Sequence, residues 1–72
     1  MKIFIFKTNI ENNEKVKVIS PLLDRNPTIN RWSVDTEDVD KVLRIEALNG
    51  LSELELIQYV ERVGFNCESM PY

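Results

Sequence analysis

Ser52-Glu53-Leu54-Glu55-Leu56-Ile57-Gln58-Tyr59-Val60-Glu61-Arg62-Val63-Gly64-Phe65 is the stretch whose reading decides the fold. Ser52 and Glu55 have the S-x-x-E spacing of a capping box, in which each side chain reaches the other's backbone N–H. Leu51 before the cap and Leu56 inside it are spaced for a hydrophobic staple. Leu56, Ile57, Val60 and Val63 make an apolar stripe with Tyr59 at its edge, while Glu53, Glu55 and Glu61 face water. Leu54 lies outside the stripe and is expected to stay partly exposed. Acids in the first turn suit the positive end of the helix dipole, and Gly64 stands where a left-handed residue ends a helix.

Toward the C-terminus, Phe65 to Met70 reads as a short final strand closed by Pro71. Toward the N-terminus, Val39 to Ala47 alternates, Leu43 and Ile45 on one face and Arg44 and Glu46 on the other. Asp35-Thr36-Glu37-Asp38 is a polar connection with too many acids for a strand interior. Before it Ile29 to Asp35 alternates, with Asn30, Trp32 and Val34 on one face and Ile29, Arg31 and Ser33 on the other. The phase that Trp32 shares with Val34 places it in the core, and the two strands form a hairpin.

Arg25-Asn26-Pro27-Thr28 is a turn. From Glu14 the apolar spacing is helical: Val16, Ile19, Leu22 and Leu23 share one side. Asn12 or Asn13 supplies the N-cap oxygen. Pro21 lacks the N–H for the carbonyl four residues back, so a kink or a last turn held by packing is expected, ending near Asp24. Val16, Ile19 and Leu23 are expected to be buried against Leu56, Val60 and Val63. Lys2 to Thr8 is aromatic and β-branched and apolar on both faces (Ile3 and Ile5, Phe4 and Phe6), as a central strand is.

The order is therefore β-α-β-β-α-β over residues 1–72: a single α+β domain with the ferredoxin-like sandwich fold, a four-stranded antiparallel sheet with two helices on one face.

Composition excludes more functions than it supports. Of 72 residues one is cysteine and none is histidine, which rules out an internal disulfide, a four-ligand Cys/His zinc site and every Ser-His or Cys-His arrangement. Residues 1–34 carry six basic and three acidic side chains and residues 35–72 three and nine, a net charge of −3 that disfavours a polyanionic partner. No nucleic acid or membrane partner is expected. The opening apolar run ends at Lys7, too short for a signal-peptide core, and with a lone thiol the expected location is cytoplasmic.

The chain resembles the heavy-metal-associated domain of copper chaperones and metal-transport ATPases. The resemblance rests on the strand-to-polar-loop transition after Thr8, the helix bearing Val16, Ile19, Leu22 and Leu23, the strand Ile29-Asn30-Arg31-Trp32-Ser33-Val34-Asp35, and the Val63-Gly64-Phe65 ending of the second helix. It implies a soft-metal site, Met-x-Cys-x-x-Cys, after the first strand. Aligned on the first helix, Ile10 falls at the methionine, Asn12 at the first cysteine and Lys15 at the second; shifted by one, the pair is Glu11 and Glu14. Neither register holds a thiol or an imidazole. The expectation is thus a member without the metal motif, whose degenerate loop residues Ile10, Glu11, Asn12, Glu14 and Lys15 are the candidate binding positions, with no catalytic residue, metal or cofactor.

The other candidates have plainer readings. Asp35, Glu37, Asp38 and Asp40 lack the glycine and spacing of a calcium loop and read as a solvated turn. Cys67 and Met70, three apart on a strand, point to opposite faces, and Cys67 reads as a structural cysteine. Asn9 to Asn13 has neither the glycine nor the arginine that acylphosphatase-like chemistry on this fold needs. The function expected is a non-catalytic interaction or regulatory module with a protein partner; the alternatives are an ACT-like small-ligand regulatory domain, although its β1–α1 loop would be expected to carry glycine, and metal handling through unconventional ligands.

Overall fold

In the computed structural model, which describes residues 1–48 and 50–70, the elements are β1 (Lys2–Thr8), α1 (Asn13–Asp24), β2 (Ile29–Asp35), β3 (Val42–Ala47), α2 (Glu53–Arg62) and β4 (Cys67–Ser69). The sheet order is β2-β3-β1-β4 and every neighbouring pair is antiparallel. This is the expected sandwich. β1 is a central strand, as its doubly apolar sequence requires. Pro71, read as closing the last strand, lies outside the described residues.

Both helices pack on one face of the sheet. Phe6, Leu43 and Ile45 from the strands, Ile19 and Leu23 from α1, and Leu56 and Val60 from α2 are all buried in one cluster. Each such burial stabilises the fold by about 1.5–3 kcal/mol. Phe4 and Phe6 stack beneath the helices with ring centroids 6.2 Å apart. Leu54 is exposed, as its place outside the stripe demands, but Val16 and Val63 sit at the rim of the core, only half-buried. Among the described residues no layer covers the other face of the sheet, and Ile3 is 40% exposed although it belongs to a central strand.

α1 runs through Pro21 to Asp24. Leu23, 1% exposed, anchors the turn beyond the proline, and the Arg25 N–H closes it on the Pro21 carbonyl at 3.1 Å. The second helix ends as read: Gly64 adopts φ +96° and its N–H reaches the Glu61 carbonyl at 3.0 Å.

Three details depart from the sequence reading. In β2 the register slips between Ile29, opposite Ala47, and Arg31, opposite Glu46, so Asn30 is the extra residue of a β-bulge. The bulge turns Ile29 onto the core face beside Trp32 and Val34, whereas strict alternation had put it on the opposite one. β3 begins at Val42 rather than Val39, because 36–41 form turns and Lys41 has φ +47°; Val39 is 89% exposed. β4 is trimmed to three residues, with Phe65 packed against the core instead of paired in the sheet.

Trp32 also differs. It packs on the core but is half-buried, and its indole N–H donates to Asp24 Oδ1 at 2.8 Å. A tryptophan at a rim can keep its polar edge satisfied there without burying it.

Candidate functional site

The candidate site is the β1–α1 junction. β1 ends at Thr8, a buried polar residue whose hydroxyl donates to the Lys41 carbonyl at 2.5 Å and accepts from the Ile10 N–H at 3.2 Å. The Thr8 N–H donates to the Asp40 carbonyl at 3.1 Å. On the far side Asn9 Oδ1 accepts from the Asn66 N–H at 2.8 Å. The loop is thus tied to the β2–β3 turn on one side and to the approach to β4 on the other. Sequence reasoning passed over Thr8; a hydroxyl at the end of an apolar run, in phase with Phe4 and Phe6, was the available signal.

Ile10 has no exposed surface and belongs to the core cluster. Asn12 is the N-cap of α1: its backbone is extended, φ −155°, and its Oδ1 accepts from the Lys15 N–H at 3.0 Å. That resolves the choice between Asn12 and Asn13. The Lys15 ammonium pairs with Glu11 Oε1 at 2.5 Å. This contact lowers the Glu11 pKa below its ordinary value, first through the hydrogen bond to Lys15 and then through its charge. Glu14 is exposed in the first turn, at the positive end of the helix dipole.

The structure therefore brings Glu11, Asn12, Glu14 and Lys15 together at one helix start, and turns Ile10 away from the surface. What their side chains offer is one cap oxygen, one ion pair and one free carboxylate. These are hard or cationic groups, unsuited to a soft metal.

Cys67 lies close by, paired across the sheet with Thr8. It is buried at the floor of an open cleft of about 460 Å³ shared with Lys7, Asn9, Glu61 and Asn66. Burial, reinforced by the negative charges of Glu61 and Glu53, pushes its pKa up to about 12. A thiol so placed stays protonated at neutral pH, and the thiolate is the form that attacks or ligates. Among the described residues no three Cys, Asp or Glu side chains are grouped to hold a metal ion. Two acids of the β2–β3 turn serve the backbone instead: Asp35 Oδ1 accepts from the N–H groups of Glu37 and Asp38 at 3.2 Å each, and Asp38 Oδ1 from that of Asp40 at 2.8 Å, while Asp40 pairs with Lys7 at 3.7 Å. Among the described residues no helix is long and apolar enough to cross a membrane.

Solved structures share this architecture. One, described as "Crosstalk between Cu(I) and Zn(II) homeostasis", superposes with a TM-score of 0.82 at 11% identity, covering 97% of this chain and 100% of its own. Another, the N-terminal domain of PacS from Synechocystis PCC6803, superposes with a TM-score of 0.78 at 11% identity, covering 99% of this chain and 100% of its own. No protein-family model and no curated protein matches the chain. At that identity the likeness is one of fold: the ferredoxin-like sandwich that both structures share with this chain.

Proposed function

We propose that the protein is a non-catalytic interaction or regulatory module on a metallochaperone-like fold whose β1–α1 loop takes no soft metal. One observation carries this reading: each residue at the metal-loop position is engaged in, or suited to, building the helix start. Ile10 fills the core, Asn12 caps α1, Lys15 and Glu11 pair, and Glu14 faces the helix dipole. The full-length likeness to two solved structures, one of them described by Cu(I) and Zn(II) homeostasis, supports the fold half of the reading, and a chain without histidine, with its one thiol held protonated, favours binding over catalysis. The exposed loop residues Glu11, Asn12, Glu14 and Lys15 are then positions from which a protein partner is met.

Isotope-labelled protein titrated with Cu(I), Zn²⁺ and Ca²⁺ tests it. The amide spectrum should show no stoichiometric change at residues 9–15. Saturable one-to-one shifts there would overturn the reading.

A further inference from the structure

The sheet has two edges and only one is long. β4 offers three residues, whereas β2 offers seven and, among the described residues, pairs only with β3. An open edge presents a row of unpaired N–H and C=O groups, a template for another strand. The bulge at Asn30 interrupts regular pairing at one end of β2, and the turn that Asp35 organises ends it at the other. What remains flat is Arg31-Trp32-Ser33-Val34-Asp35, a window with Ser33 at its middle.

We propose that this edge is a dimerisation strand whose partner is a second copy of the chain, the two β2 strands pairing antiparallel about Ser33. Antiparallel pairing centred there sets Arg31 of each copy opposite Asp35 of the other on the open face. On the helix face it sets Trp32 opposite Val34, both half-buried within one chain and both covered further by the pairing. Parallel in-register pairing would set Arg31 beside Arg31 and Asp35 beside Asp35, so the charge pattern selects the antiparallel arrangement and its register.

The charged groups are available for this. The Arg31 side chain is 77% exposed, and its contact with Glu46, at 4.0 Å, competes with the 2.9 Å bond that Arg44 makes to the same oxygen. Asp35 receives both of its backbone N–H bonds on Oδ1, which leaves Oδ2 to a guanidinium. The pairing extends the four-stranded sheet to eight strands with all four helices on one side. It takes the interaction reading one step further but uses none of the loop residues 10, 11, 12, 14 and 15. A monomer would leave the metal-free loop standing, and a metal-binding loop would leave the dimer standing.

Sedimentation of the whole chain from about 10 μM to about 1 mM covers the range expected of so short an interface. A concentration-dependent dimer is expected; a monomer throughout overturns the proposal. Arg31→Asp alone or Asp35→Arg alone should weaken the dimer roughly tenfold, since each creates two like-charge contacts per dimer. The double exchange Arg31→Asp with Asp35→Arg should restore it, and equal weakening by the double exchange overturns the register. A covalent trap closes the test. Facing Ser33 Cα atoms would lie about 4.5–5.5 Å apart, within disulfide reach, while residues 37 of the two copies, in the turns beyond the strand ends, would lie more than roughly 14 Å apart and outside that reach. Under mild oxidation Ser33→Cys should form a disulfide dimer, and Glu37→Cys no more of one than wild type, whose Cys67 is buried. Equal yields from the two variants would overturn the proposal.

Discussion

The two helix starts of this molecule are built alike. Before α1 stand a buried aliphatic, Ile10, and a polar cap, Asn12, whose oxygen accepts from the third helical N–H at 3.0 Å. Before α2 stand a buried aliphatic, Leu51, and a polar cap, Ser52, whose oxygen accepts from the third helical N–H at 3.2 Å. They differ in what surrounds the cap. Leu51 is 8% exposed and Ile10 wholly buried, and the first junction is also tied down by Thr8 and Asn9 and carries the Glu11–Lys15 pair. The β1–α1 junction is therefore the more heavily tied of the two, in keeping with the proposal that it is scaffold whose surface, not its interior, meets a partner.

The largest effect expected is a gain. Replacing Asn12 and Lys15 by cysteine places a Cys-x-x-Cys at a helix N-terminus, where the dipole favours thiolates. The double variant should bind Cu(I) or Zn²⁺ one to one, and wild type should bind neither, as followed by competition with a chromogenic chelator. The shifted register predicts the gain for Glu11→Cys with Glu14→Cys instead. If neither pair binds metal, the resemblance to metallochaperones is architecture alone.

The next effect separates the two aliphatics. Ile10→Ala empties a fully enclosed site and should cost roughly 2–4 kcal/mol in urea unfolding, against roughly 1–3 kcal/mol for Leu51→Ala at the rim. A smaller loss at Ile10 than at Leu51 would reverse the ranking of the two junctions. The caps themselves should be near equals: Asn12→Ala and Ser52→Ala should each cost about 1 kcal/mol. A markedly smaller loss at Asn12 would mean that the ties from Thr8 and Asn9 hold the first helix start without its cap.

Much of this was legible from residue order. The stripes of both helices, their caps and the central position of β1 follow from local spacing, because periodicity and capping are properties of contiguous residues. What spacing could not reveal is set by partners distant in the chain. The bulge at Asn30 exists only relative to β3, and it inverts the face of Ile29. The start of β3 is delayed by side-chain–backbone bonds within the acidic turn and by the left-handed backbone of Lys41. Ile10 was a candidate binding position in the loop, yet the fold turns it inward. At the candidate site the absence of thiol and imidazole was plain from the residues, whereas the tethering of the loop by Thr8 and Asn9 required the sheet and its neighbouring turns to be in place.

The smallest effect concerns the Glu11–Lys15 pair. Its hydrogen bond and charge attraction favour the ionised carboxylate, so the folded-state pKa lies below the ordinary 4.5. A group depressed on folding contributes stability above its unfolded value, and that contribution disappears as the pH falls through the folded value. The loss therefore belongs to the acid side of 4.5, and because the pair is exposed it should be slight and salt-sensitive. Carboxyl-carbon NMR of Glu11 should give a midpoint below 4.5 in wild type, moved back toward that value by Lys15→Met and by added salt. Asn12→Ala should leave the midpoint low if the loop is held by its other ties. A wild-type midpoint at or above 4.5 would mean that the pair does not persist in solution, and Lys15 would then be free to meet a partner as an unpaired cation.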